Sequence, residues 1–355
     1  MFDINYFLGL PSYIDSLRET RLPIFIYGMG DGCLKLLSVF SSYNIPCAGI
    51  FASDEFVRDK SFEGHRIHSL GEIESSVDEF IVVLAFGAGY RSLIEKIDDI
   101  GSRHTLFVPD MPVVGEGLFT KEYLAGNFES ISRVYSLLAD EQSKSCYTNL
   151  LEYRITGGIR FLKSCESRSG DAMKLLKLSG DEIYCDLGAY TGDTIDEFLN
   201  ATGGSYRRIY AAEPDPRNFR KLCENTCGLA GFTPINAAIG ENDGVITVLK
   251  GGGRMIRKSD KGRQVALRSL DSILGGESCT YIKMDVEGSE TEAIRGGART
   301  ISACQPKLNI ALYHRVGDIF ELPLLVHSLL PEHKLYIRHF PYYPAWDTNL
   351  YAVPD

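Results

Sequence analysis

The stretch Ile183–Asp193, IYCDLGAYTGD, decides how the rest of the chain reads. Ile183-Tyr184-Cys185 begins a short apolar strand run, Glu182–Leu187, that carries an acid near its end, Asp186. Gly188 and Gly192 then bracket a tight turn, and Thr191–Leu199 has helical spacing. Glycine is needed where a backbone must turn sharply and approach a ligand closely. The helix that follows offers free N–H groups suited to a carboxylate or phosphate. The pattern departs from a dinucleotide fingerprint, because Tyr190 stands where the second glycine should be.

Downstream the alternation continues. Strand runs are read at Arg208–Ala212, Phe232–Ala238, Val245–Leu249, Val265–Ser269, Thr280–Asp285, Leu308–Tyr313, Lys334–His339 and Leu350–Val353. Helices are read at Arg217–Asn225 and Ser289–Gly296. Polar residues recur where strands end: Glu213, about twenty residues after the turn, then Asn236, then Asp285. Ligands of open α/β sheets bind beyond the carboxyl ends of strands, and an acid at the second strand end can accept bonds from both ribose hydroxyls.

Four segments occur in order: Asp186-Leu187-Gly188-Ala189-Tyr190-Thr191-Gly192-Asp193, Glu213-Pro214, Asn236-Ala237-Ala238 and Lys283-Met284-Asp285-Val286-Glu287-Gly288. This set resembles class I S-adenosylmethionine-dependent methyltransferases and, within them, the FkbM family. The later runs LNIALYHRVGDIFELPLLV, IRHF and NLYAV extend the resemblance, which covers Asp181 to Asp355. It implies S-adenosyl-L-methionine as cofactor and methyl transfer to a hydroxyl of a saccharide or related natural product. The cofactor contacts it implies are Asp186 toward the methionine ammonium, Gly188, Ala189, Tyr190, Thr191 and Gly192 at the turn, Glu213 and Pro214 at the ribose, and Asn236 and Ala237 at the adenine, with Asp285 beside them.

An alcohol acceptor must lose a proton, so a base is sought at the strand ends. Asp285, Glu287 and His314 are the candidates, with histidine titrating nearest neutrality. The same three could offer metal ligands, but their spacing along the chain matches no compact site, so no metal is expected. Lys283 reads as structural and Asn225 as a helix end. The basic run Gly251–Arg268 is read as a solvated hairpin tip, or as a loop steering an anionic acceptor through Arg254, Arg257 and Lys258.

The first part of the chain also alternates: strands at Pro23–Tyr27, Ala48–Phe51, Phe80–Phe86 and Thr105–Val108, helices at Leu34–Tyr43 and Arg91–Ile100. Gly28 and Gly30 fit a partial G-x-G-x-x-G, with Cys33 in the third glycine position. Asp54 is spaced as a ribose acid, and Phe86–Tyr90 (FGAGY) forms a second glycine-rich turn where phosphates or a sugar could rest. This part resembles the N-terminal Rossmann-like domain of sugar acyltransferases. Two readings stand: a nucleotide or nucleotide-sugar site, or a scaffold that binds nothing.

Leu118–Leu178 lacks strand runs and reads as a packed helical linker with solvated charges, or as a cap over the cleft with Asp140, Glu141, Tyr147 and Arg154 as acceptor contacts. The expected fold is α/β: a Rossmann-like class I methyltransferase domain over residues 179–355, a smaller N-terminal Rossmann-like domain over 1–116, and a helical connector over 117–178. The rival functions are an NAD- or nucleotide-sugar-dependent carbohydrate-modifying protein and a non-catalytic nucleotide-binding protein.

The 355 residues carry 37 basic and 47 acidic side chains, a net charge of −10, which argues against a dedicated nucleic-acid binder. No apolar run is long enough to span a bilayer, and the N-terminus lacks a secretory pattern. Nine scattered cysteines, with Cys223 and Cys227 as the one close pair, suit a reducing compartment, so a cytoplasmic location is expected.

Overall fold

The structure is a computed structural model describing residues 2–53, 61–168, 170–249, 257–258 and 262–355. Its first sheet contains β1 (Ile24–Tyr27), β2 (Gly49–Phe51), β3 (Ser61–Phe62), β4 (His65–His68), β5 (Ile81–Leu84) and β6 (Thr105–Phe107). Among the described residues their order is β3-β4-β2-β1-β5-β6, parallel except for the β3–β4 pair. Both β1 and β5 are buried along their whole length, as strands covered by helices on both faces must be.

A second sheet is built from β7 (Ile183–Leu187), β8 (Arg208–Ala212), β9 (Phe232–Ile235), β14 (Tyr281–Met284), β15 (Lys307–Ala311), β16 (Lys334–His339) and β17 (Thr348–Val353). Its order is β16-β17-β15-β14-β7-β8-β9, and β17 runs antiparallel to both neighbours. Chain order reverses between β7 and β14, and that switch point is where open α/β sheets hold ligands. A small third sheet joins β10 (Ala238–Ile239), β11 (Gly244–Leu249), β12 (Arg257–Lys258) and β13 (Arg263–Arg268).

Local chemistry explains the helices that flank the switch point. Pro216 opens the helix Pro216–Asn225, and the Asp215 side chain accepts from the N–H groups of Arg217 and Asn218. Gly192 takes a left-handed conformation, φ 95°, to start the helix Asp193–Ala201.

Between the sheets lie the helices Lys121–Gly126, Phe128–Leu137, Glu141–Thr156, Ile159–Cys165 and Asp171–Leu176. The long one, Glu141–Thr156, is buried on nearly every side in its C-terminal half, including Tyr147, Leu151 and Tyr153. It therefore carries no apolar stripe for a sequence pattern to reveal. One continuous apolar core runs from Phe25 and Val82 through Tyr147 and Leu150 to Ile282 and Leu350.

This burial changes the reading of the connector. Tyr147 is fully buried, Arg154 is 3% exposed and paired with Asp110 at 2.8 Å, and Asp140 holds Arg338 at 2.6 Å. These residues fasten the two sheets together, and none of them lines the main cavity; nor does Glu141. All nine cysteines are free thiols.

Candidate active site

Register places the site. Leu187 pairs with Met284 on one side and Ala212 on the other, so Gly188, Asp285 and Glu213 leave their strands at one level. A cavity of about 2160 Å³ opens there. That exceeds the roughly 300–1,000 Å³ of a typical small-molecule site, so there is room for two ligands side by side.

The turn after β7 is held by its neighbours. Gly188 and Ala189 both donate to the carbonyl of Ala212, at 3.0 and 2.9 Å. A Cβ on Gly188 would stand 1.9 Å from the carbonyl oxygen of Asp285, and its φ is +92°. Only glycine fits that approach. The Asn225 amide donates to the carbonyl of Thr191 at 2.8 Å, securing the far side of the turn.

Glu213 is 6% exposed and lines the cavity. Its carboxylate accepts from the N–H of Tyr190 at 3.1 Å and of Asp215 at 2.8 Å. Burial pushes its pKa up to about 7, against the lowering effect of those hydrogen bonds.

Gly188, Tyr190, Glu213, Pro214 and Ala237 line the cavity together with Asp285 and Glu287. Other expected cofactor contacts sit elsewhere. Asp186 is fully buried, 3.6 Å from the Lys283 ammonium and hydrogen-bonded by Thr194. Lys283 in turn donates to the carbonyl of Gly188 at 3.2 Å. Asp186 therefore braces the turn through Lys283, and its buried side chain does not line the cavity. Asn236 gives its amide to the carbonyls of Glu213 and Pro214, at 2.8 and 3.4 Å, so it braces the strand end and does not line the cavity. Ala189, Thr191 and Gly192 shape the turn without lining the cavity.

The candidate bases meet in one cluster. His314 is 1% exposed; its Nε2 lies 3.4 Å from Asp285 and 3.5 Å from Glu287, and its Nδ1 lies 3.0 Å from Glu290. Burial alone would lower the imidazole pKa, but Glu290, Glu287 and Asp285 outweigh it and hold it well above the usual histidine range. Tyr313 donates to both oxygens of Asp285, at 3.2 and 3.1 Å.

Glu290 and Tyr313 were not singled out from sequence. Their spacing from Asp285 and His314 carries no motif, and only the folding of the Asp285–Ser289 loop against β15 joins them. The aromatic pair was missed for the same reason: Tyr342 and Trp346, with ring centroids 6.1 Å apart, also line the cavity. Asp31, Lys35 and Ser38 of the N-terminal helix Asp31–Tyr43 complete its rim.

The two glycine-rich turns of the first sheet have packing reasons. A Cβ on Gly28 would meet the Phe86 ring at 2.5 Å, and one on Gly32 the carbonyl of Ala85 at 2.0 Å. Gly87 and Gly89 would meet Trp346 at 2.6 Å and Tyr342 at 2.5 Å. The space expected to hold phosphates or a sugar at FGAGY is thus filled by the other sheet's aromatic loop. A neighbouring hollow of about 190 Å³, lined by Tyr27, Ser53 and Lys96, is smaller than a dinucleotide needs. Asp54 lies outside the described residues, as do Arg254 and the side chains of Arg257 and Lys258. Arg263 of the basic run donates to the carbonyl of Pro214 at 3.1 Å.

Comparison with known proteins places this geometry. The family described as the methyltransferase FkbM domain matches residues 186–339. The fold is similar to the crystal structure of methyltransferase FkbM from Methylobacillus flagellatus KT, with a TM-score of 0.70 and 22% identity over 97% of this chain and 94% of that one. That likeness extends over both sheets. Precorrin-6y C5,15-methyltransferase from Geobacter metallireducens GS-15 is similar over 52% of this chain and 86% of its own, at 12% identity and a TM-score of 0.35. Aeropyrum pernix fibrillarin, crystallised with natively bound S-adenosyl-L-methionine, is similar over 51% and 73%, at 15% identity and a TM-score of 0.34. No curated protein matches the chain in sequence. No helix among the described residues is long and apolar enough to cross a membrane. Residues 186–339 are thus similar to the methyltransferase FkbM domain, within a fold that is similar along nearly the whole chain to a methyltransferase FkbM structure.

Proposed function

We propose that the protein methylates a hydroxyl oxygen of a saccharide or related natural product, using S-adenosyl-L-methionine. The observation that carries the reading is the level placement of Gly188, Glu213 and Asp285 at the switch point, on one cavity large enough for cofactor and acceptor. The donor set suits the cofactor. Glu213 lines the cavity while accepting from the N–H groups of Tyr190 and Asp215, a placement that suits vicinal ribose hydroxyls. Pro214, Ala237 and Ile239 supply an apolar slot for a flat base.

When bound, S-adenosyl-L-methionine supplies a methyl group on a positively charged sulfur. The protein's part is to align the acceptor oxygen behind that methyl, which can contribute much of the rate. Tyr342 and Trp346 offer faces for the apolar C–H side of a sugar ring. Asp285 and Glu287 line the cavity in front of buried His314, so they meet the acceptor hydroxyl and receive its proton as the C–O bond forms. The C–S electron pair returns to sulfur, leaving S-adenosylhomocysteine.

Incubation with methyl-labelled S-adenosyl-L-methionine and a host glycan extract, followed by mass analysis, tests this. A labelled O-methyl saccharide is expected. Label on nitrogen or carbon, or failure of the wild type to bind S-adenosylhomocysteine by calorimetry, sinks the reading.

A further inference from the structure

Resting on the proposed methyl transfer, we propose that the first sheet positions the acceptor: its FGAGY turn holds the rings of Tyr342 and Trp346 in the cavity. Both rings belong to residues 340–347, the loop that joins β16 to β17. The loop closes on itself, with the Phe340 N–H donating to the Asp347 carbonyl at 2.8 Å and the Trp346 N–H to the Pro344 carbonyl at 2.7 Å. Its attachment is to the other sheet. Ala88 and Tyr343 form an antiparallel bridge with two backbone hydrogen bonds, of 2.6 and 2.9 Å. Tyr343 is fully buried, and its hydroxyl donates to Asp98 of the helix Arg91–Arg103 at 3.2 Å.

The glycines of the turn follow from that docking. Neither Gly87 nor Gly89 takes a left-handed φ, so the backbone does not demand glycine at either position. Space does. A Cβ on Gly87 would stand 2.6 Å from the Trp346 ring and 2.8 Å from the Tyr342 hydroxyl, and one on Gly89 2.5 Å from the Tyr342 ring. Carbon atoms in ordinary contact stay about 3.5–4.0 Å apart, so either methyl pushes its ring by roughly 1 Å. Both rings line the cavity. A shift of about 1 Å in a group that aligns a reactant can cost about a hundredfold in rate.

The segment after β6 braces the carboxylate loop in the same way. The Val114 N–H donates to the His314 carbonyl at 2.9 Å, and the Val114 side chain lies 3.0 Å from where a Cβ on Gly288 would be. Lys35 of the helix Asp31–Tyr43 donates to the carbonyls of Pro112 and Val113, at 2.8 and 3.0 Å, and fixes that segment. The groups that meet the acceptor in the proposed reaction, the aromatic pair and the loop bearing Asp285 and Glu287, are thus both braced from the first sheet. The cofactor turn is braced from the second: Gly188 by Ala212 and Lys283, and Tyr190 by Glu213. A change in FGAGY should therefore separate the acceptor's fate from the cofactor's.

The test uses the full-length chain. Trp346 is its single tryptophan, so the emission reports on the loop directly. Gly87→Ala should shift that emission and its quenching by acrylamide. It should lower the initial rate of label transfer from methyl-labelled S-adenosyl-L-methionine to a dilute host glycan extract at least about tenfold, with S-adenosylhomocysteine affinity by calorimetry within about twofold. Gly89→Ala should act likewise through Tyr342. In a Trp346→Phe background the loss from Gly87→Ala should shrink at least about threefold, because the ring it strikes is smaller. Unchanged emission or unchanged label transfer in Gly87→Ala, or a parallel loss of S-adenosylhomocysteine binding in both glycine variants, overturns the positioning role. Failure of the wild type to bind S-adenosylhomocysteine removes the methyl-transfer reading instead, and the Trp346 emission of Gly87→Ala then decides the docking by itself.

Discussion

The chain opens a sheet twice with the same device, a buried strand running into a glycine-rich turn and a helix, and it uses the two copies differently. At Gly28–Gly32 the glycines serve packing: the Phe86 ring lies where a side chain on Gly28 would go, and the Ala85 carbonyl lies under Gly32. At Gly188–Gly192 the turn is tied by polar groups from neighbouring strands: the Ala212 carbonyl, the Glu213 carboxylate and the Lys283 ammonium. The local signal is shared because both turns solve one steric problem, bringing a helix start against a strand end. What separates them is the company at the adjacent strand ends. Acids gather beside the second turn, and aromatic rings from the other sheet crowd FGAGY near the first.

The comparison breaks most sharply at the glycines of the second turn. Gly188→Ala should abolish S-adenosylhomocysteine binding by calorimetry, because its new methyl collides with the backbone of Asp285 and the turn cannot move without separating β7 from β14. Glu213→Gln should weaken that binding about a hundredfold, as the loss of charge degrades two hydrogen bonds worth roughly 1.5–3 kcal/mol each. A change below threefold would mean that Glu213 does not meet the ribose.

The pH dependence is smaller and has a definite sign. Burial has raised the Glu213 pKa to about 7, so its charged form is lost as pH falls through neutrality. If the carboxylate is the binding form, affinity should drop about tenfold from pH 8 to pH 6 and the drop should vanish in Glu213→Gln. A flat wild-type profile over that range contradicts it. The smallest effect belongs to the first turn. Gly28→Ala should leave S-adenosylhomocysteine affinity within about twofold while lowering the melting temperature, since the group it meets is a ring that can rotate and the φ of +119° is strained. Equal losses at Gly28 and Gly188 would erase the distinction between the turns.

The alternation of strand and helix was legible at both ends of the chain, because a buried parallel strand is a short apolar run and an amphipathic helix has its own period. The strand read as Phe80–Phe86 is Ile81–Leu84, and the helix read as Leu34–Tyr43 begins at Asp31. The early helices Ile4–Gly9 and Tyr13–Glu19 were not legible; they are short and stand on caps, Asp3 and Ser12, more than on periodicity.

By itself the sequence determined which residues end the strands and in what order, since strand ends, glycine turns and ordered acids are local or follow chain order. Only the tertiary structure decided which of those residues reach the cavity. Asp186 and Asn236 hold the right positions along the chain, yet their side chains are committed to Lys283 and to the carbonyls after β8. His314, Glu290, Asp285 and Tyr313 are separated in sequence and become one cluster when the β14 loop folds against the end of β15. The direction in which a side chain points, and the charges that surround it, are set by packing between distant segments, and no spacing along one strand records that.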